Sequence, residues 1–281
     1  MNKWIIGARP RTLPAAIAPV LVATAYAGSN FSPIRALAAL VVSLSLQIGV
    51  NYANDYSDGI RGTDDSRIGP VRLTASGMAS PKSVRAAALI SFLFAAIIGL
   101  TLAAATSWWI ILVGALAINA AWGYTGGANP YGYKGLGEIS VFLFFGIVAT
   151  VGSYFVQVQE LNVEIFIIAV PMGSLACAIL TINNLRDRAQ DQIVGKKTLA
   201  VRLGDKGARH LYIALLISAH VFALLTLKPA AALTLLAAPL TWKLARGVAS
   251  GTSGAELIPF LVRTGKLQLL FALLFALGLA L

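Results

Sequence analysis

Apolar runs of about twenty residues fill most of this 281-residue chain, and they constrain its fold more than any other feature. A helix of that length matches the hydrocarbon thickness of a bilayer. Hydrophobic residues make up 58% of the sequence and charged residues only 12%, roughly half the share of a soluble domain. We therefore expect one all-α integral membrane domain over residues 1–281, embedded in a lipid bilayer. The basic, proline-containing start, residues 1–12, predicts no cleavable signal peptide.

Nine segments are apolar enough to be predicted as membrane-spanning helices. They cover approximately residues 13–29, 34–54, 84–105, 107–124, 138–157, 164–185, 209–227, 229–245 and 265–281. If the N-terminus is cytoplasmic, every lysine and arginine except Arg35 and Lys228 falls on the cytoplasmic side. Positively charged loops stay in the cytoplasm, so this bias predicts nine spans with a cytoplasmic N-terminus, whereas eight spans would scatter the later charges.

The acidic residues also lie mostly on one side of the membrane, and the topology rule does not explain this distribution. All except Glu160 and Glu164 fall on the predicted cytoplasmic side, although the topology rule hardly applies to Asp and Glu. A cation-binding site on the cytoplasmic side accounts for this distribution of acidic residues. The net charge of +11 does not indicate a nucleic-acid partner, because the basic residues follow the predicted topology.

The first acidic motif ends the second predicted span. Asn51, Asp55 and Asp58 are spaced so that they share one face of a helix. Oxygen ligands of this kind suit Mg²⁺, which commonly brings a phosphate with it. The motif leads into a predicted cytoplasmic loop, residues 55–83, in which Asp64 or Asp65 is a further candidate ligand.

A second acidic motif ends the sixth predicted span. Asn183, Asp187 and Asp191 again share one helical face, and a predicted loop, residues 186–208, begins there. A lone Asp at the end of a membrane helix is usually a solvated boundary residue. Two clusters in helical register, on the same side and four spans apart, favour a site in which Mg²⁺ bridges both clusters to a diphosphate.

These motifs resemble the UbiA superfamily of intramembrane aromatic prenyltransferases. The likeness rests on Asn54-Asp55-x-x-Asp58 and Asp187-x-x-x-Asp191, and Gly62 departs from the family pattern, which often has Asp there. Further similar segments are Trp4–Pro14, Gly69–Gly77, Gly135–Glu138 and Gly195–Gly204. Within the superfamily the segments are most similar to the branch that prenylates 1,4-dihydroxy-2-naphthoate in menaquinone biosynthesis.

The resemblance implies nine helices around a central cavity capped by the two cytoplasmic loops, in a bacterial plasma membrane. It implies Mg²⁺-dependent transfer of a polyprenyl group from its diphosphate to the naphthoate ring, with loss of CO₂. The expected catalytic residues are Asp55, Asp58, Asp187 and Asp191, which are also expected metal ligands together with Asn51 and Asn183, with Asp64 as a loop candidate. The expected diphosphate ligands are Arg61, Lys134 and Arg186, and the aromatic carboxylate is assigned to Arg9, Arg11 and Arg72.

Three alternatives remain open at this point. The aromatic acceptor could be 4-hydroxybenzoate or homogentisate. The opening Asp55-Tyr56-Ser57-Asp58-Gly59 also fits a CDP-alcohol phosphatidyltransferase motif, but the Ala-Arg and the nearby second Asp pair of that motif are missing. A Mg²⁺-coupled transporter would place its acids near the bilayer midplane, whereas these acids lie at predicted helix ends.

Overall fold

The protein, represented by a computed structural model that describes residues 2–63 and 69–281, consists of helices joined by loops within these ranges. The α-helices in the described ranges are α1 (Lys3–Ala8), α2 (Pro14–Tyr26), α3 (Pro33–Ile60), α4 (Pro81–Ala105), α5 (Trp109–Gly123), α6 (Gly137–Val141), α7 (Ala149–Val158), α8 (Val163–Ile193), α9 (Leu199–Leu224), α10 (Ala238–Ala249) and α11 (Ile258–Ala280). A π-helical segment, Phe142–Val148, joins α6 to α7 into one helix, Gly137–Val158.

Six helices in the described part of the chain are long and apolar enough to cross a membrane. They are α3, α4, Gly137–Val158, α8, α9 and Gly254–Ala280. The bent pair Lys3–Thr12 and Pro14–Tyr26 adds a seventh if its 52° bend lies within one span. Helix α5 has only 15 residues, and the predicted span 229–245 divides into a 3₁₀ helix, Pro229–Ala237, and α10. The membrane-helix architecture is therefore confirmed, while nine crossings and their orientation remain predictions.

Helix α8 lies at the centre of the molecule. Its apolar window is 78% buried, compared with 22–50% for the other candidate spans. Met172 and Ile182 of α8 belong to the same buried core as Leu216 of α9 and Phe271 and Phe275 of α11. This packing fixes the helix that carries the second acidic motif.

Both acidic motifs lie on helices that extend further than predicted. Helix α3 continues to Ile60 and α8 to Ile193, and α4 and α9 begin at Pro81 and Leu199. The predicted loops 55–83 and 186–208 are therefore wrong at both ends. Hydropathy ends a span at the first cluster of polar residues, but here the polar residues face a cavity and the helices continue through them.

Candidate active site

A cavity of about 1150 Å³ lies between α3, α4, α5, the Gly137–Val158 helix and α8. It exceeds the roughly 300–1,000 Å³ usual for small-ligand pockets. Its polar residues lie where the two motif helices end, and the walls from α4, α5 and α7 are almost wholly apolar. The polar lining comprises Arg9, Arg11, Gln47, Asn51, Asn54, Asp58, Arg72, Asn183, Asn184, Arg186, Asp187, Gln190, Asp191 and Lys196, together with several hydroxyl groups. The cavity therefore suits an amphiphilic ligand with a charged head and a long apolar part.

The first motif divides between the cavity and the loop behind it. Asn51, Asn54 and Asp58 line the cavity, whereas Asp55 does not. The amide nitrogen of Asn51 donates to Ala8 O at 2.9 Å, which leaves its carbonyl oxygen as the group to present to a ligand. At 100° per residue, position 55 lies on the flank of the face shared by positions 51, 54 and 58, so its side chain takes a different direction.

Asp55 holds the 69–79 loop against α3. Its carboxylate is fully buried and accepts hydrogen bonds from the backbone N–H groups of Leu73 at 2.9 Å and Thr74 at 3.0 Å. Gly59 permits this close approach, because a Cβ atom there would lie 2.5 Å from Thr74. The loop in turn brings Arg72 to the cavity wall. The loop candidates Asp64 and Asp65 lie outside the described residues.

Asp58 is paired with two groups that the motif pattern does not contain. Its Oδ1 accepts a hydrogen bond from the hydroxyl of Tyr133 and lies 3.2 Å from Nζ of Lys196. The Lys196 ammonium also lies 4.6 Å from the centre of the Tyr133 ring. Burial, and then the negative charge of Asp58, raises the pKa of Tyr133, so the phenol stays protonated and keeps donating to Asp58.

The second motif is held by an arginine of its own helix. Arg186 pairs with both carboxylate oxygens of Asp187 at 2.7 Å, and its Nη2 also donates to Asn183 Oδ1 at 2.9 Å. Asp191 accepts a hydrogen bond of 3.4 Å from the hydroxyl of Thr198. All of these groups line the same cavity as Asn51 and Asp58, so residues of both motifs lie at one site.

Two of the three predicted diphosphate ligands lie outside the cavity wall. Arg61 donates to the carbonyl groups of Thr125 and Gly127, and Lys134 is exposed to solvent. Arg186 lines the cavity, as do all three predicted carboxylate ligands, Arg9, Arg11 and Arg72.

Sequence reasoning missed several cavity residues. Lys196 is 8% exposed, although in the sequence it is only one of the positive charges on the predicted cytoplasmic side. Lys196 follows Gly195 and lies five residues after Asp191, and this position could have indicated its role. A tight turn there brings the chain back towards the motif. Asn184 was also missed; its Nδ2 donates to Oε1 of Glu138 at 3.1 Å, at the buried start of α6.

The donor set at the polar end fits magnesium. In residues 2–63 and 69–281, no group of three or more His, Cys, Asp or Glu side chains is arranged to hold a metal by itself. The cavity does present carboxylates and carboxamides from both motifs, and none of its described lining residues is His or Cys. Mg²⁺ commonly binds through one or two carboxylates and completes its shell with water and substrate phosphate. These residues therefore fit a magnesium ion that is bound together with a phosphorylated substrate.

Comparison with known proteins gives consistent matches along the whole chain. The model of the UbiA prenyltransferase family matches residues 16–262. A protein of Mycobacterium tuberculosis named 1,4-dihydroxy-2-naphthoate octaprenyltransferase is 50% identical over 282 residues, covering 99% of this chain and 97% of its own. A protein of that name from Escherichia coli is 41% identical, covering 98% and 94%. The solved UbiA homolog from Archaeoglobus fulgidus bound to DMAPP and Mg²⁺ has a TM-score of 0.69 at 16% identity, covering 99% of both chains.

Proposed function

This chain belongs to the UbiA prenyltransferase family, and on that premise we propose that it prenylates 1,4-dihydroxy-2-naphthoate. The donor is a polyprenyl diphosphate, Mg²⁺ is required, and the products are demethylmenaquinol, diphosphate and CO₂. Relatives at 41–50% identity over nearly the whole chain, named for this acceptor, support the substrate. The observation that carries the reaction class is the cavity, in which both acidic motifs meet at the head of a long apolar space.

The cavity orients the donor in one direction. A diphosphate cannot enter the apolar part without losing its solvation, so it lies among the charged groups at the polar end. The prenyl tail then lies along α4, α5 and α7, where the wall is apolar. Bound in this way, the reacting allylic carbon is at the boundary between the two regions.

The metal is held by residues of both motifs. Asp58, Asp187 and Asp191 supply carboxylate oxygens, and Asn51 and Asn183 supply carboxamide oxygens or orient the carboxylates. Mg²⁺ held there would neutralise the charge that develops on the departing diphosphate. Asp55 contributes indirectly in this proposal, by holding the loop that carries Arg72.

Lys196 and Arg186 are the proposed diphosphate ligands. Both line the cavity and are paired with Asp58 and Asp187 respectively. With Mg²⁺ held by those carboxylates, the N–H groups of the two cations would be available to phosphate oxygens, which suit them as charged acceptors. Arg61 and Lys134 lie outside the wall and act only through the field of their charge.

Arg9, Arg11 and Arg72 bind the carboxylate of the acceptor. The electron-rich ring forms a carbon–carbon bond to the allylic carbon as the bond from that carbon to the diphosphate oxygen breaks. The carboxylate leaves as CO₂, and the electron pair of its bond to the ring restores the aromatic system. Tyr124 and Tyr133 line the cavity, where their ring faces can stabilise positive charge on the allylic group, and the enclosed site keeps that group from water.

The same proposal places the protein in a bacterial plasma membrane with nine spans and the polar end of the cavity on the cytoplasmic side. The distribution of lysine and arginine supports this orientation. Helix α5, with 15 residues, is one of the nine spans in this proposal and lies next to the cavity. Labelling of single cysteines tests this orientation. Each cysteine is introduced at an exposed position near a helix end, in the cysteine-free variant Cys177→Ala. A membrane-impermeant thiol reagent added outside intact cells should not label the Lys206→Cys variant.

Turnover with different acceptors tests the reaction. Purified protein with Mg²⁺ and octaprenyl diphosphate is expected to consume 1,4-dihydroxy-2-naphthoate much faster than 4-hydroxybenzoate or homogentisate, and chelation of the metal should stop the reaction. Faster turnover of either other acceptor would contradict the proposed substrate. Absence of turnover with all three, combined with Mg²⁺ uptake into vesicles, would favour transport instead.

A further inference from the structure

Gln47 is a buried carboxamide on the cavity wall that belongs to neither acidic motif. It lies on α3, four residues before Asn51, and is 6% exposed. Its side-chain nitrogen, Nε2, donates a hydrogen bond to the hydroxyl of Thr12 at 2.9 Å, whereas its oxygen, Oε1, has no hydrogen-bond partner in residues 2–63 and 69–281. Because Gln47 lines the cavity, this oxygen is left as an acceptor for a bound ligand.

The hydroxyl of Thr12 fixes the orientation of the Gln47 amide. Thr12 Oγ1 donates its proton to Arg9 O at 3.0 Å, so it can only accept from the side chains beside it. It accepts from Gln47 Nε2 and, at 3.0 Å, from Asn51 Nδ2. A flipped Gln47 amide would set two acceptor oxygens against each other and lose its hydrogen bond. The Gln47 oxygen is therefore directed away from Thr12.

Gln47 lies too deep in the cavity to serve the metal or the diphosphate. At a rise of about 1.5 Å per residue, it is about 6 Å further along α3 than Asn51 and about 16 Å further than Asp58. The cavity residues beside it on α3, Leu46 and Val50, are apolar. An amide oxygen left unpaired among such groups is unfavourable, so its position indicates a ligand that supplies a hydrogen-bond donor.

Of the two proposed substrates, the aromatic acceptor is the one that can supply this donor. The prenyl tail has no hydrogen-bond donor, and the diphosphate lies among the motif residues. The naphthoate ring carries one hydroxyl adjacent to its carboxylate, which can bond to that carboxylate, and a second hydroxyl meta to it, which needs an outside acceptor. Gln47 contacts Thr12, which directly follows Arg11, so a ring whose carboxylate is bound by Arg9 and Arg11 lies next to Gln47.

We propose that Gln47 Oε1 accepts a hydrogen bond from the ring hydroxyl meta to the carboxylate and thereby helps to determine which aromatic acceptor is used. This inference rests on the proposed function. 4-Hydroxybenzoate carries its hydroxyl para to the carboxylate and so presents it in a different direction. A site built to bond a substrate hydroxyl discriminates against an analogue that lacks it, because the polar group of the site is then left unpaired.

The test compares two aromatic ligands that differ only in this hydroxyl, 1,4-dihydroxy-2-naphthoate and 1-hydroxy-2-naphthoate. KM is measured for the first as substrate and the inhibition constant for the second as competitor, with octaprenyl diphosphate as donor. The variants are Gln47→Met, which preserves the length of the side chain, and Gln47→Leu. We expect each to raise KM for the dihydroxy ligand by about fivefold or more, while the inhibition constant of the monohydroxy ligand and the donor KM stay within about twofold. Unchanged binding of the monohydroxy ligand also reports that the variant is folded.

Ser43→Ala is the matched control, because Ser43 lies one turn further along α3 on the cavity wall and its hydroxyl donates to Ala16 O. It should leave all three constants within about twofold. Equal weakening of both aromatic ligands in the Gln47 variants, a normal KM for the dihydroxy ligand, or a change confined to the donor would overturn the role of Gln47 alone. If the unmodified protein does not prenylate the dihydroxy ligand, the proposed function fails, and the inference fails with it.

Discussion

Removal of the Asp55 carboxylate should release the 69–79 loop without opening the helical core. Asp55 is fully buried, and both hydrogen bonds of its carboxylate go to backbone N–H groups, those of Leu73 and Thr74. Leu73 is itself fully buried beside Gly7, where a Cβ atom would lie 2.6 Å from the leucine side chain. The carboxylate and this apolar contact together determine where Arg72 meets the cavity.

The size of the effect follows from these two hydrogen bonds. Each hydrogen bond to a charged group contributes about 1.5–3 kcal/mol, so Asp55→Ala should weaken docking of the loop by about 3–6 kcal/mol. Even about 3 kcal/mol corresponds to more than a hundredfold rise in the undocked population. Hydrogen exchange of peptides covering residues 69–79 should accelerate by at least that factor, and turnover should be lost because Arg72 is no longer held.

Asp58→Ala is the matched control, since Asp58 lines the cavity and makes no hydrogen bond to the loop backbone at 73–74. We expect it to abolish turnover while exchange in residues 69–79 stays normal. If Asp55→Ala abolishes turnover with normal exchange in the loop, Asp55 acts on the metal or substrate directly and the loop account is wrong. Normal turnover together with fast exchange would show that docking of the loop is not required.

Further substitutions separate the cavity residues from their neighbours. Lys196→Gln should lower kcat/KM for the donor by about tenfold or more, whereas Lys134→Gln, outside the wall, should stay within about twofold; equal effects would contradict the assignment. Arg72→Lys should raise KM for the acceptor but not for the donor, because lysine cannot bind a carboxylate through two parallel N–H groups; a change in donor KM alone would refute it. Glu138→Gln keeps an oxygen to accept from Asn184 and should keep most activity. Glu138→Leu leaves that amide unpaired and should reduce thermal stability by about 1–3 kcal/mol, and an unchanged melting temperature would contradict this.

Helical periodicity and hydropathy together were enough to predict which motifs meet. Asn51 and Asp58 line the same cavity as Asp187 and Asp191, because two long helices each turn a polar face to it. Spacing alone does not predict that the Asp55 side chain points away from the cavity. Residues four positions apart on a helix, such as 51 and 55, differ in direction by only about 40°. The Asp55 side chain meets the loop because the backbone N–H groups of residues 73 and 74 lie beside it. No sequence pattern predicts the position of those N–H groups.

The cationic residues show a second limit. Arg61 and Lys196 read alike in the sequence, as basic residues soon after an acidic motif. Their roles differ because the chain after α8 turns at Gly195 and returns to the cavity, whereas the Arg61 guanidinium is engaged by the carbonyl groups of residues 125 and 127. Tertiary contacts determine which of these basic residues reaches the cavity, so charge and sequence position alone do not predict it.

The most direct test of the central claim is the mass of the product formed by purified protein with Mg²⁺, octaprenyl diphosphate and 1,4-dihydroxy-2-naphthoate. The account predicts an octaprenyl naphthoquinol that lacks the carboxyl group, formed together with one diphosphate and one CO₂. A prenylated product that retains the carboxyl group would contradict the proposed loss of CO₂. Release of diphosphate without any prenylated aromatic product would contradict the transfer reaction itself.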